Sequence, residues 1–198
     1  MKERKTDRRT IMTKTMVKDA MLELLKETSY EKITVSSLCK QAEITRTTFY
    51  LHYPNLNAVL DEVLDDALRL TELDERFGRV ESSHEVYFQS RENDEPDIDA
   101  FLPPCQRAAR DPKYRVLFMS ESMSYLVLDK MYRNQRDHRV PGIMAEYHVT
   151  EWEADIIFRY MLYGSFAVNK SLDWIRNDDW YHAQDVIRKF TAPKDWRK

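Results

Sequence analysis

Thr45, Arg46, Thr47, Thr48, Tyr50 and His52 gather six hydrogen-bonding side chains into eight residues. Such a set suits the edges and phosphates of a nucleic acid. A guanidinium takes guanine O6 and N7 together, threonine methyls touch thymine methyls, and hydroxyls or a tyrosine hold phosphates. The elements around the set can position it. Thr34 can cap a short helix whose apolar side is Leu38, Cys39 and Ala42, and the break at Glu43–Ile44 is too short for a free loop. Thr45 then caps a second short helix. Two short helices joined by a tight turn form the pattern of a helix-turn-helix DNA reader.

Other chemistries find less support. The chain has no Gly-rich phosphate loop, no HExxH and no CxxC, so an enzyme is not expected. Its five histidines are scattered at positions 52, 84, 138, 148 and 182. His138 and His148 could meet a carboxylate in space, but lone histidines are more often surface residues. No metal, cofactor or catalytic residue is expected. Cys39 and Cys105 lie far apart and read as ordinary reduced thiols of a cytoplasmic protein. No apolar run approaches the roughly 18 residues of a membrane span. The charged start MKERKTDRRT lacks the apolar segment of a secretion signal.

Composition points to helices. With 3 Gly and 7 Pro in 198 residues, 42% hydrophobic, the chain has few turn formers and enough apolar matter for a packed core. The net charge of −3 is uneven: up to Asn55 there are 11 Lys or Arg against 7 Asp or Glu, and beyond it 20 against 27. A basic head on an acidic body suits a protein that presents one end to nucleic acid.

In chain order, residues 1–9 read as a basic arm able to reach phosphates or the minor groove. Thr10 to Thr28 forms an amphipathic helix through Val17, Met21, Leu24 and Leu25. Asn55 can cap a helix that runs to about Leu73 and joins head to body. Residues 72–96 are a highly charged connection. The body then offers short helices around Cys105 to Ala109 and Tyr114 to Phe118, and a longer one from Ser120 to Gln135. A bend is expected at Pro141–Gly142. A long apolar helix capped by Thr150 reaches about Trp174, and a last one spans Trp180 to Phe190. The expected fold is all-α, with a head over residues 1–56 and a helical body over 57–198.

The run YEKITVSSLCKQAEITRTTFYLHYPN, behind a helix ending ELLKETS, resembles the TetR family of one-component bacterial transcription regulators. The likeness covers residues 10 to 60, through the Thr34 cap, the Thr48–Tyr50 core, His52–Tyr53 and the Pro54 break. It implies a homodimeric regulator, a repressor, that binds palindromic double-stranded operator DNA and is released by a small-molecule effector. Thr45 and Arg46 would start the recognition helix. Thr47, Thr48, Tyr50, His52 and Tyr53 would face DNA or flank that side, and Thr34 and Ser36 would meet phosphate. Two departures stand out: Glu43 occupies the turn where the family has Gly, and Leu56 the place where it has a phosphate-binding Lys. Both make a helical adaptor with a degenerate head the alternative reading.

The resemblance also implies an effector cavity and a dimer interface in the body. Phe101, Phe118, Met119, Met123, Tyr125, Met131, Tyr132 and Phe158 are the cavity candidates, though core packing explains such a stripe equally well. Tyr163, Phe166, Leu172 and Trp174 are the expected dimer contacts, within a four-helix bundle formed by the last two helices and their symmetry mates.

Overall fold

The computed structural model of the chain describes residues 2–69 and 104–191, and among these the regular elements are helices, with no strand. α1 spans Lys2–Glu27, and a 3-10 turn follows at Tyr30–Lys32. Then come α2 (Val35–Gln41), α3 (Arg46–His52) and α4 (Leu56–Arg69). The body holds α5 (Pro104–Arg110), α6 (Arg115–Met119), α7 (Ser124–Tyr147), α8 (Glu151–Ser171) and α9 (Asp178–Thr191). The end expected for α4 near Leu73, the charged stretch 72–96 and Phe101 lie outside the described residues.

Two expectations about elements need correction. The basic stretch at 1–9 is no separate arm: from Lys2 onward it is the start of α1. Neither Gly nor Pro occurs before Pro54, so nothing there breaks a helix. The bend expected at Pro141–Gly142 is also absent, and α7 runs through both residues. Pro141 removes one backbone donor. Around it Val140, Gly142 and Ile143 are buried, and Val140 and Ile143 pack with Ala154 and Phe158 of α8. That packing outweighs the lost bond.

α1 buries Val17, Ala20, Met21 and Leu25 against Leu38 of α2, Phe49 of α3 and Val59 and Val63 of α4. The same cluster continues through Ala108 of α5, Leu117 and Phe118 of α6 and Met123, Val127 and Met131 to Phe166 and Trp174. Head and body thus share one apolar core. Within the body, Asn169 is 2% exposed and its Oδ1 accepts from Gln106, from Trp180 Nε1 at 2.7 Å and from Gln184 at 3.2 Å. One carbonyl thereby satisfies donors of α5 and α9 that would otherwise be buried unpaired.

α4 adds a second layer of restraint. Its acids stand at helical spacing on two sides. Glu62 meets Lys14 at 2.6 Å and Asp66 meets Lys18, both lysines on α1. Asp61 and Asp65 meet Lys130 of α7 at 2.8 and 2.9 Å. Glu62 also accepts from Tyr53 Oη at 2.8 Å, just past the end of α3. Burial pushes the Glu62 carboxyl up, but hydrogen bonds from Lys14 and Tyr53 outweigh it and hold it below its ordinary value of 4.5. Its stabilising contribution is therefore complete above about 4.5 and lost as pH falls through the lowered folded value. In urea melts, wild type should exceed Glu62→Gln in stability at pH 7, and the gap should close in acid. A gap independent of pH would contradict this role.

Candidate nucleic-acid interface

The turn between α2 and α3 is set by backbone bonds. Glu43 has φ 53°, its N–H donates to Lys40 O at 3.2 Å, and Ile44 N–H donates to Cys39 O at 3.0 Å. That crossed pair is the Schellman closure, whose left-handed position normally takes glycine. A glutamate there costs on the order of 1 kcal/mol, met by the two bonds and by half-buried Ile44 packing on the core.

Each short helix is then started by a threonine. Thr34 Oγ1 accepts from Ser37 N at 3.1 Å, and Thr34 N–H donates to Ser37 Oγ at 3.0 Å, a reciprocal cap. Thr45 Oγ1 accepts from Thr48 N at 3.1 Å and lies 2.9 Å from Thr48 Oγ1. Both caps use hydroxyls that the sequence reading assigned to DNA. Thr34, Thr45 and Thr48 therefore shape the helix starts first, while Ser36 and Thr47 are exposed.

α3 is fixed through Phe49, which is fully buried and lies edge-on to Tyr50, with ring centroids 5.3 Å apart. This anchor turns Arg46, Thr47 and Tyr50 to solvent, and His52 is half-exposed beside them. Leu51 joins that face at 76% exposure, the highest among the large exposed apolar side chains described. It was not among the expected contacts. Its place four residues after Thr47 and one after Tyr50 is the signal that would have found it. An apolar side chain held in water on this face suits a thymine methyl.

Tyr53 needs correction. Its ring is 2% exposed, Lys14 Nζ sits 5.1 Å from its centroid, and its hydroxyl goes to Glu62. Burial first, then Glu62, raises its phenol well above the ordinary range. It is a strut between α3, α1 and α4 rather than part of the exposed face. Leu56 is likewise half-buried against the core, and the cap of α4 is Asn55, whose Oδ1 accepts from Ala58 N at 3.0 Å.

In the body the expected clusters separate. Phe118, Met123, Met131 and Phe158 are buried in core packing, whereas Met119 and Tyr125 are exposed. Half-buried Tyr132 stacks on Phe158 and donates to Asp155 at 2.5 Å. Among the described residues, these side chains thus divide between the interior and the surface. Of the expected dimer contacts, Phe166 and Trp174 are 3% and 1% exposed and pack on Phe118, so they belong to the chain's own core. Leu172 is the half-buried cap of α8. Tyr163 is exposed, and it shares an outer stripe with Trp152, Ile156 and Tyr160, spaced by four, four and three residues. Val186 and Phe190 of α9 are also exposed, and Phe190 lies 6.2 Å from Tyr160, ring to ring. Of this stripe only Tyr163 was among the expected contacts; large apolar side chains such as Phe166 and Trp174 are claimed by the interior first.

No group of three or more potential ligand residues suited to a metal occurs among the described residues, and no described helix is long and apolar enough to cross a membrane. Over 64 residues, 32% of the chain, the sequence is 36% identical to a Bacillus subtilis (strain 168) protein named "Uncharacterized HTH-type transcriptional regulator YxbF". The match spans 17% of that protein's length. No protein-family model and no solved structure matches the chain.

The strained turn gives a direct test. Glu43→Gly should raise stability by about 0.5–1 kcal/mol in urea melts, because the left-handed conformation suits glycine. A destabilised variant would mean that Glu43 contributes more than backbone geometry.

Proposed function

We propose that the chain is a DNA-binding transcriptional regulator of the TetR type, a homodimeric repressor whose grip on a palindromic operator is released by a small-molecule effector. The observation that carries the reading is the single exposed face of α3, with Arg46, Thr47, Tyr50 and Leu51 held outward by buried Phe49. A seven-residue helix gains little stability from its own hydrogen bonds. Mounted on α1 and α4, it can enter a major groove as a rigid unit. Arg46 would take a guanine, Thr47 and Leu51 thymine methyls, and Tyr50, His52 and the Ser36 hydroxyl the backbone. The similarity to a protein named as an HTH-type regulator supports the same reading.

Two heads are needed to read a palindrome. The outer stripe of α8 and α9 is the surface we assign to the second copy. Trp152, Ile156, Tyr160 and Tyr163 run along one side of α8, with Val186 and Phe190 beside them. A contiguous apolar face of that length on a small protein marks an interface. Being one patch on each copy, it suits a two-fold contact.

Selection from random duplex DNA tests the recognition. The wild type should enrich a palindrome with half-sites about one helical turn apart. Arg46→Ala should weaken binding by about 1–3 kcal/mol and relax one base position in each half. Failure of the folded wild type to enrich any palindrome would overturn the reading in favour of an adaptor. Sedimentation velocity tests the second copy: Tyr160→Asp should shift a micromolar dimer to monomer while circular dichroism stays helical. A wild type that is already monomeric at micromolar concentration would refute the assigned interface.

A further inference from the structure

α1 is longer than the head it supports. The helix begins at Lys2, yet among its described side chains the first buried one is Val17. Arg8 and Arg9 are exposed and stand about 12–14 Å along the helix axis from Val17. Charge on α1 divides at the same place. Lys14 and Lys18 are matched by Glu62 and Asp66 of α4, and Lys26 by Glu23. Arg8 and Arg9 make no ion pair or side-chain hydrogen bond among the described residues. Ile11 and Met12 lie between them and the head, at 57% and 66% exposure. An apolar pair alone would suit a protein partner. Next to two unmatched guanidinium groups it suits a sugar–phosphate backbone, anionic at its phosphates and apolar along its deoxyribose rings.

This stretch is fixed relative to α3. Lys14 meets Glu62 at 2.6 Å and lies 5.1 Å from the ring centroid of Tyr53, the residue that closes α3. Arg8 and Arg9 stand about 7–9 Å further along α1, on the side away from Val17. α3 itself brings Arg46 and, besides it, only His52 as a potential cation. α4 opens with Leu56, Asn57 and Ala58, none of them charged. Duplex binding draws heavily on phosphate neutralisation, so a head with so few cations on its reading helix calls for others nearby.

We infer that the projecting part of α1 is a second DNA-contacting element: Arg8 and Arg9 hold backbone phosphates flanking the half-site that α3 reads, while Ile11 and Met12 rest on the adjoining sugars. The inference rests on the DNA-binding reading above. It adds a contact made by guanidinium groups about two turns inside the helix, held in register with α3 through Lys14 and Tyr53.

Binding isotherms of the full chain on the selected palindrome, over a range of sodium chloride concentrations, test it. Arg8→Gln with Arg9→Gln should raise the dissociation constant and flatten the slope of log affinity against log salt by about 3–4 for a dimer. Hydroxyl-radical footprinting should show the flanking protection lost and protection over the half-sites kept. Lys26→Gln, at the far end of α1 and paired with Glu23, is the control and should leave slope and footprint unchanged. Circular dichroism verifies that each variant is folded. An unchanged slope in the double variant, with the wild type bound to the palindrome, would overturn the α1 contact alone and return that face to a protein partner. A wild type that binds no duplex would overturn the DNA reading along with it.

Discussion

The fold depends on how α4 is held. A helix of alternating acids would be a poor partner for an apolar core if its carboxylates had to be dehydrated. α4 avoids this by burying Val59, Val63 and Ala67 and aiming its acids along the edges of that stripe, where lysines from two other helices reach them. Each such pair is partly exposed and worth little alone. Lys130 shows what their grouping achieves: burial would lower its ammonium pKa, yet the hydrogen bonds it donates to Asp61 and Asp65 raise it. The arrangement gives α4 a defined rotation about its own axis. The apolar stripe alone would specify that rotation less sharply.

That rotation passes to the recognition element through Tyr53. The residue stands at the end of α3, its ring inside the head and its hydroxyl on Glu62. A movement of α4 along its axis would thus draw on the last turn of α3 through a side chain, as well as through the short Pro54–Asn55 link. Tyr30 adds a further tie, donating to Asn57 at 2.6 Å from the 3-10 turn. The exposed face of α3 is consequently aimed by residues that do not belong to it.

Much of the head was legible because its signals are local. Threonine caps, a glutamate at a tight turn and a buried Phe49 flanked by polar residues each follow from neighbours a few positions away. What escaped was decided at a distance. Tyr53 looks like a groove contact until Glu62, nine residues on, claims its hydroxyl. Trp174 and Phe166 look like interface residues until Phe118 is found packed against both in the interior. Pro141 looks like the site of a bend until the packing of its neighbours on α8 is known. In the body, periodicity located most helices but could not rank two apolar faces of one helix. The ranking depends on which face meets a partner within the chain.

The continuous core has a consequence for motion. Val17 of α1 and Trp174, at the far side of α6, belong to one unbroken apolar cluster, with no polar seam between them. A hinge needs such a seam, because domains that swing freely meet across surfaces that can rewet. This chain has none along that path, so its head and body should melt together as one cooperative unit. Any message between them must travel as small slips of interlocked side chains, with the two ends shifting in step.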